Sequence, residues 1–587
     1  MITLSGFASV QVPAGIPSKS VGPVSTVALT VAALLVTLSW VEPNHYDPWT
    51  TFQSQLAMAA GALLFGAWLL IRTWRAGPCA QPALAWAVLA AAFVPWVQLQ
   101  FGVVYFFGDA WITSLYLLGF ALAIMVGARA VQAFDIAVLL DAVYGVILVG
   151  GLLSAWIGLY QWLKLDYLGD AVVANDLGDR IVANLAQPNL LANLLVCAAL
   201  AVGWLHSSGR IGGAIALLGI AFLFIAMPLT GSRSGAVASF GVVGLLLVAP
   251  KERSHSVRPA AILAAAGAAA LGATFGLMGI LLTGEDAASV RSLASTASAG
   301  TRPTHWASMV DAIMRHPWQG YGWNQVVVAQ QSVAADHPTT REILGSSHNL
   351  FLDLLVQNGI PLGLLMIAAL AASLALALRN ARTVAGAFAA APIIAIGMYS
   401  MVEYPNEYAT FLVPLGLLFG GLLSLRAGRY EMRVPKLLPL ALLVVVGAML
   451  VITARDYFNV EANYRAFRFE QNGFGVGKPR EPVRPVLVLT QLSEFLGFAR
   501  TNAKADMSLQ EMLWFEHVAK RYPNWTALIR WASALAQNGQ PEQARAALAG
   551  ICKTHPDTIC TRAQAVWRRL GRDSPSVAAV PWPTPGT

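Results

Sequence analysis

Charge is the scarcest property of this 587-residue chain: 12% of its residues are charged and 57% are hydrophobic, where a soluble domain carries about a quarter charged residues. That balance excludes an ordinary soluble protein. Cysteine is nearly as scarce, with four in the whole chain. Cys79 falls in an expected short loop, Cys197 inside an apolar run, and only Cys552 and Cys560 lie close together; no zinc-type spacing is present, so no metal site and no cofactor are expected. No G-x-x-x-x-G-K-[ST] stretch occurs, which removes the signature of a nucleotide-driven transporter. The formal charge of +8 does not point to nucleic acid, because much of the Lys and Arg sits in short connections between apolar runs.

What the chain has in abundance is those runs. About thirteen of them, each of about 17 to 25 residues, recur from Val24 to Ala454, and each is long enough to cross roughly 30 Å of hydrocarbon as a helix. The expected fold class is an all-α polytopic membrane protein. The first run, Val24 to Val41, follows a single lysine, Lys19, and ends in "SWVEPNHY" without a small-x-small cleavage pattern, so it reads as an uncleaved anchor.

With the N-terminus placed in the cytoplasm, alternate connections are short and basic. They carry Arg72 and Arg75, then Arg129, Arg210, Lys251 with Arg253 and Arg258, Arg379 with Arg382, and Arg426 through Lys436. The opposite set is longer and more acidic, as the positive-inside bias expects of an outer face. The expected organisation is a cytoplasmic segment 1–23, a membrane domain 24–454 with a large outer loop at about 283–347, and an outer helical domain 455–587. Within that last region Glu511 to Pro556 shows helical apolar spacing in two segments parted by "NGQP". It looks like one tetratricopeptide-type hairpin, with Ala532, Leu535, Gly539, Ala544 and Leu548 at typical places, followed by a weaker helix at Ala563 to Leu570. Cys552 and Cys560 are equally readable as a disulfide or as core thiols.

The unusual polar groups gather on the expected outer side: "GDRIVANLAQPNLLANLL", "LTGSRSG", "GTRPTHW", "SHNLFLDLLVQNGIPL" and "MVEYPNEY". Arg233 sits in a tight turn between two apolar runs. It reads either as an arginine snorkelling to headgroups or as a planar fork of donors gripping a phosphate. Arg302 and Arg180 carry the same two readings. Asn349, Asp353 and Gln357 recur every four residues and share one helix face, with His348 at its entrance and a helix break expected at Asn358 to Pro361. A polar stripe in a membrane helix must face protein or water; a hydrated pocket open to the outside is the expectation. His348 is a cap, a solvated side chain or a general base titrating near neutral pH.

At these residues the chain resembles the O-antigen ligase and polymerase superfamily of bacterial envelope enzymes, and within it the protein O-oligosaccharyltransferases of the pilin-glycosylating type. The motifs that carry the likeness are "SRSG", "TRPTHW" followed by "HPWQGYGWN", "SSHNLFLDLLVQNGIPLG" and "EYPNEYATFLVPLGLLFG", and their order among the spans is more specific than any one of them. The resemblance implies a metal-independent, inverting glycosyltransferase of the bacterial inner membrane. It would move a glycan from undecaprenyl diphosphate to a hydroxyl of a periplasmic protein such as pilin. It links Arg233 and Arg302 to the donor's diphosphate and His348 to catalysis; Arg180 is expected at the diphosphate because the three arginines share one face, and Thr301 stands where glycine is common before the second arginine. Asn349, Asp353, Glu403, Tyr404, Glu407, Gln187 and Asn189 are expected in the pocket or at the acceptor. Lipid A-core ligase, polymerase and glycolipid transporter remain as alternatives.

Overall fold

The computed structural model describes residues 23–175, 180–232, 234–235, 301–425, 431–435, 437–473 and 483–583. Arg233, the apolar runs expected between residues 236 and 282, and the basic connection at Lys251 to Arg258 lie outside them. Among the described residues, eight helices are long and apolar enough to cross a membrane, and three shorter apolar ones join them: Gly213–Leu229, Val384–Tyr399 and Ala409–Leu423. The chain is a multi-pass helical membrane protein.

The chain divides into two compact units. The first comprises residues 1–91, 115–298 and 369–451. Its helices approach closely where side chains are smallest, as packing without a hydrophobic driving force requires. A Cβ on Gly127 would collide with the Leu417 carbonyl, and one on Gly420 with the Ile124 carbonyl, so two backbones touch at two reciprocal glycines. A short antiparallel pair, β1 (Cys79–Pro82) with β2 (Glu431–Val434), is in register at Cys79 and Val434. Arg129, expected in a connection, instead lies inside the helix Phe107–Ala133. It is buried there because Thr73 at the neighbouring helix end supplies two acceptors, its hydroxyl at 2.9 Å and its carbonyl at 2.5 Å.

The second unit comprises residues 92–114, 299–368 and 452–587. The helix Leu437–Gln471 runs on well past Ala454, where hydropathy falls. Arg455 to Gln471 contains no Pro or Gly, so leaving the apolar phase does not end the helix. Beyond it stand Thr490–Arg500, Leu509–Arg521, Trp525–Gln537, Pro541–Thr554 and Asp557–Asp573. Their boundaries follow local chemistry. Ser508 and Glu511 form a reciprocal capping box, Asn524 caps the next helix, and Gly539 takes the left-handed turn before Pro541. Ala532, Leu535, Ala544 and Leu548 are all in one buried core, which also takes in Phe106. Within this unit Asp109 and Arg521 form a buried ion pair at 2.8 Å, and Asn324 donates to the same carboxylate at 2.8 Å. Cys552 and Cys560 are joined in a disulfide.

Candidate functional site

In the second unit, Pro303 favours the start of an amphipathic helix, Arg302–Arg315, whose buried face includes His305, Met309, Ala312 and Ile313. These pack with the helix Val326–Val333, Leu344 and Val356 into a small core. The indole of Trp306 donates to the Ser347 carbonyl at 3.1 Å, tying the helix to the turn that carries His348.

That turn is built around Asp353. Its carboxylate, only 4% exposed, accepts from the Ser346 hydroxyl at 2.7 Å and from the Ser347 N–H at 2.7 Å. Asn349 caps the helix Leu350–Asn380: its side-chain oxygen accepts from the N–H groups of Phe351 and Leu352 at 3.0 and 3.2 Å. His348 sits between these two fixed points with a left-handed backbone, φ 57°, rare for a residue with a side chain, and its side chain is half-buried. Gln357 accepts from the Asn324 N–H at 2.8 Å and donates to the Asp353 carbonyl at 3.1 Å. The polar stripe therefore does share a face, but protein rather than a hydrated pocket meets Asp353 and Gln357. Buried polar groups are retained when they are hydrogen-bonded, and here partners come from Asn324, Ser346 and Ser347 in the preceding loop.

The expected break is at Gly359, φ 73°, where two helices join across a kink. It is also a docking point. Ile360 N–H donates to the Pro317 carbonyl at 2.7 Å, while Tyr321 and Gly322 N–H groups donate to the carbonyls of Val356 and Gln357 at 2.8 and 3.0 Å. A Cβ at Gly359 would strike the Trp318 carbonyl. The "HPWQGYGWN" and "QNGIP" stretches are thus one structural feature.

Sequence reasoning missed His305 and Glu342. His305 is 2% exposed and its Nε2 lies 3.6 Å from a carboxylate oxygen of Glu342, which is 56% exposed. This is within ion-pair reach but beyond a hydrogen bond. Burial holds the His305 imidazole below its ordinary range; Glu342 opposes this, and His348 and Arg302 add to it. Arg302, His305, Glu342 and His348 therefore form one electrostatic neighbourhood. The available signal was position: His305 is three residues after Arg302, on the same side of a helix.

In the first unit, Asn189 donates to Glu403 at 2.7 Å and Gln187 to the Tyr404 hydroxyl at 3.0 Å, bringing four expected residues together. Burial, with Glu407 and Glu403 nearby, pushes the Tyr404 phenol up to about 12, so it is a hydrogen-bond donor rather than a base near neutral pH. Glu407 is exposed. Arg180 donates through Nε to the Thr230 carbonyl at 2.9 Å, and its side chain lies over Gly231, the left-handed residue that opens the "GSRSG" turn. Ser232, in that turn, is 3.4 Å from the Tyr399 hydroxyl. Asn193, one helical turn beyond Asn189 and fully buried, finds no partner for either side-chain atom among the described residues. Among the described residues no group of three His, Cys, Asp or Glu is placed to hold a metal.

Residues 218–367 match the O-antigen ligase family, and residues 387–570 match the C-terminal part of the virulence factor membrane-bound polymerase family. The chain is 28% identical over 545 residues to a general O-oligosaccharyltransferase of Acinetobacter baylyi, covering 91% of this chain and 94% of that protein. It is 33% identical over 115 residues to a ComP-specific O-oligosaccharyltransferase of the same organism, about a fifth of each chain. The first family match spans the "SRSG", "TRPTHW" and "SHNL" motifs, and the second begins before the "EYP" turn. In order and extent these similarities agree with the motifs, and they set two stretches of the chain, residues 218–367 and 387–570, beside the O-antigen ligase and membrane-bound polymerase families.

Proposed function

We propose that this protein is an oligosaccharyltransferase of the bacterial inner membrane that moves a glycan from undecaprenyl diphosphate to a serine or threonine hydroxyl of a periplasmic protein such as pilin. The observation that carries this reading is the similarity, over nine-tenths of the chain, to a general O-oligosaccharyltransferase. His348 takes the proton of the acceptor hydroxyl as it attacks the anomeric carbon. Arg233 and Arg302 stabilise charge on the departing diphosphate without a metal. Arg180, already engaged with Thr230 and Gly231, acts by holding the turn before Arg233. Gln187, Asn189, Glu403 and Tyr404 supply neutral and acidic groups of the kind that bind sugar or acceptor hydroxyls, with Glu407 at their edge. Direct displacement inverts the anomeric configuration.

The N-terminus lies in the cytoplasm, residues 24–454 hold the membrane domain, and the tetratricopeptide-like region 455–587 faces the periplasm and receives the acceptor. The Cys552–Cys560 disulfide supports an oxidising compartment. A second reading, transfer to lipid A-core, is favoured by the O-antigen ligase match over residues 218–367. The test supplies purified protein with a polyprenyl-diphosphate glycan and either a pilin-type protein or lipid A-core. Glycan on a pilin serine or threonine, found by mass spectrometry, supports the proposal; glycan on lipid A-core alone replaces it with the ligase reading.

A further inference from the structure

The segment from Glu342 to Asn349 delivers His348, and it is fastened almost throughout by hydrogen bonds. Gln330 donates to the Glu342 carbonyl at 2.8 Å and accepts from the Leu344 N–H at 2.9 Å. Trp306 holds the Ser347 carbonyl, and Asp353 holds Ser346 and Ser347. The Thr301 hydroxyl donates to the Glu342 carboxylate at 3.2 Å. One contact in this set stops short: the buried Nε2 of His305 makes no hydrogen bond among the described residues and stands 3.6 Å from the same Glu342 oxygen. A buried ring nitrogen left unmatched is costly, and here a carboxylate is waiting less than an ångström beyond bonding range.

We propose that His305 is a positioning residue for the transfer: when a lipid diphosphate occupies Arg302, the imidazole closes onto Glu342 and fixes the segment that carries His348. This rests on the donor reading above. The charged groups that act on His305 are Arg302 on its own helix, Glu342 on the facing segment and His348 on the turn. In the free protein, burial together with the positive field of Arg302 holds the imidazole below its ordinary range, against the pull of Glu342. A diphosphate at Arg302 cancels part of the positive field, so His305 takes a proton from solvent. The new charge draws Glu342 into a charge-assisted hydrogen bond. The sign follows by linkage: because the bound state holds the extra proton, donor binding strengthens as pH falls toward the bound-state pKa and weakens as pH rises through it.

The test is calorimetric titration of the full-length protein with a glycan-free polyprenyl diphosphate, in two buffers of different ionisation enthalpy. The wild-type protein should take up more protons on binding than either His305→Gln or Glu342→Gln. Both variants should lose about tenfold in kcat, the scale of a misplaced catalytic group, with donor affinity within about threefold. Equal proton uptake in all three proteins overturns the proposal, even if the variants are slow, and leaves the donor reading standing. No binding by the wild-type protein removes both. Should His305→Gln not fold, Glu342→Gln, changed at an exposed carboxylate, decides the matter.

Discussion

Two buried polar stretches differ, the helix start from Gln187 to Asn193 in the first unit and the turn around Asp353 in the second. In the second, Asp353, Asn349 and Gln357 each meet named hydrogen-bond partners and thereby build the turn under His348. In the first, both side-chain atoms of the buried Asn193 and the side-chain oxygen of Gln187 are unmatched among the described residues. A satisfied buried network rigidifies, whereas an unsatisfied group destabilises its own fold and persists for another reason. Removing a polar side chain should therefore hurt at the Asp353 turn and help at Asn193.

The largest expected effect is on chemistry beside the satisfied turn. His348→Ala should remain folded and still bind lipid diphosphate but lose about two to four orders of magnitude in transfer rate; near-normal turnover by the purified variant would remove His348 from the base role. Next is Asp353→Leu, which orphans the Ser346 hydroxyl and the Ser347 N–H. At about 1–3 kcal/mol for each unmatched group, thermal unfolding in detergent should show a clear loss, with Asp353→Asn losing less because one acceptor survives.

Arg302→Ala comes third. Loss of one charge-assisted contact should weaken use of the donor by about 1.5 to 3 kcal/mol, roughly ten- to a hundredfold in kcat/KM. Lysine, which keeps charge without the planar fork, should restore only part of it. Unchanged kinetics in a folded alanine variant would return Arg302 to a solvated role. The smallest effect has the opposite sign. Asn193→Leu should stabilise the protein by about 1 kcal/mol, since it removes two unmatched atoms at similar volume. A lower unfolding temperature for that variant would break the contrast between the two stretches.

How far these features were readable from residues alone depends on the range of the forces involved. Hydropathy identifies membrane helices because burial in lipid is a property of a run. It does not mark the end of the helix that reaches Gln471, because loss of apolar character and loss of helix are different events. The four-residue spacing of Asn349, Asp353 and Gln357 correctly put them on one face. What answers them did not follow from spacing: Gln357 is matched by Asn324 and, through its carbonyl, by Gln98, 259 residues away. His305 stood in a quoted motif, yet nothing local announces that its ring is buried beside Glu342. Arg233 lies outside the described residues, and its role rests on sequence likeness.

The docking at Gly359 carries a consequence for biogenesis. The loop segment Pro317 to Gly322 takes its hydrogen-bond partners from Val356 to Ile360, residues that leave the ribosome later. The Arg302 helix can form as soon as it emerges, but the closing of its loop must wait for the following helix to be made and bent. An open interval of about 40 residues is thus built into synthesis, and closure near His348 is timed by translation of the helix behind it rather than by the loop itself.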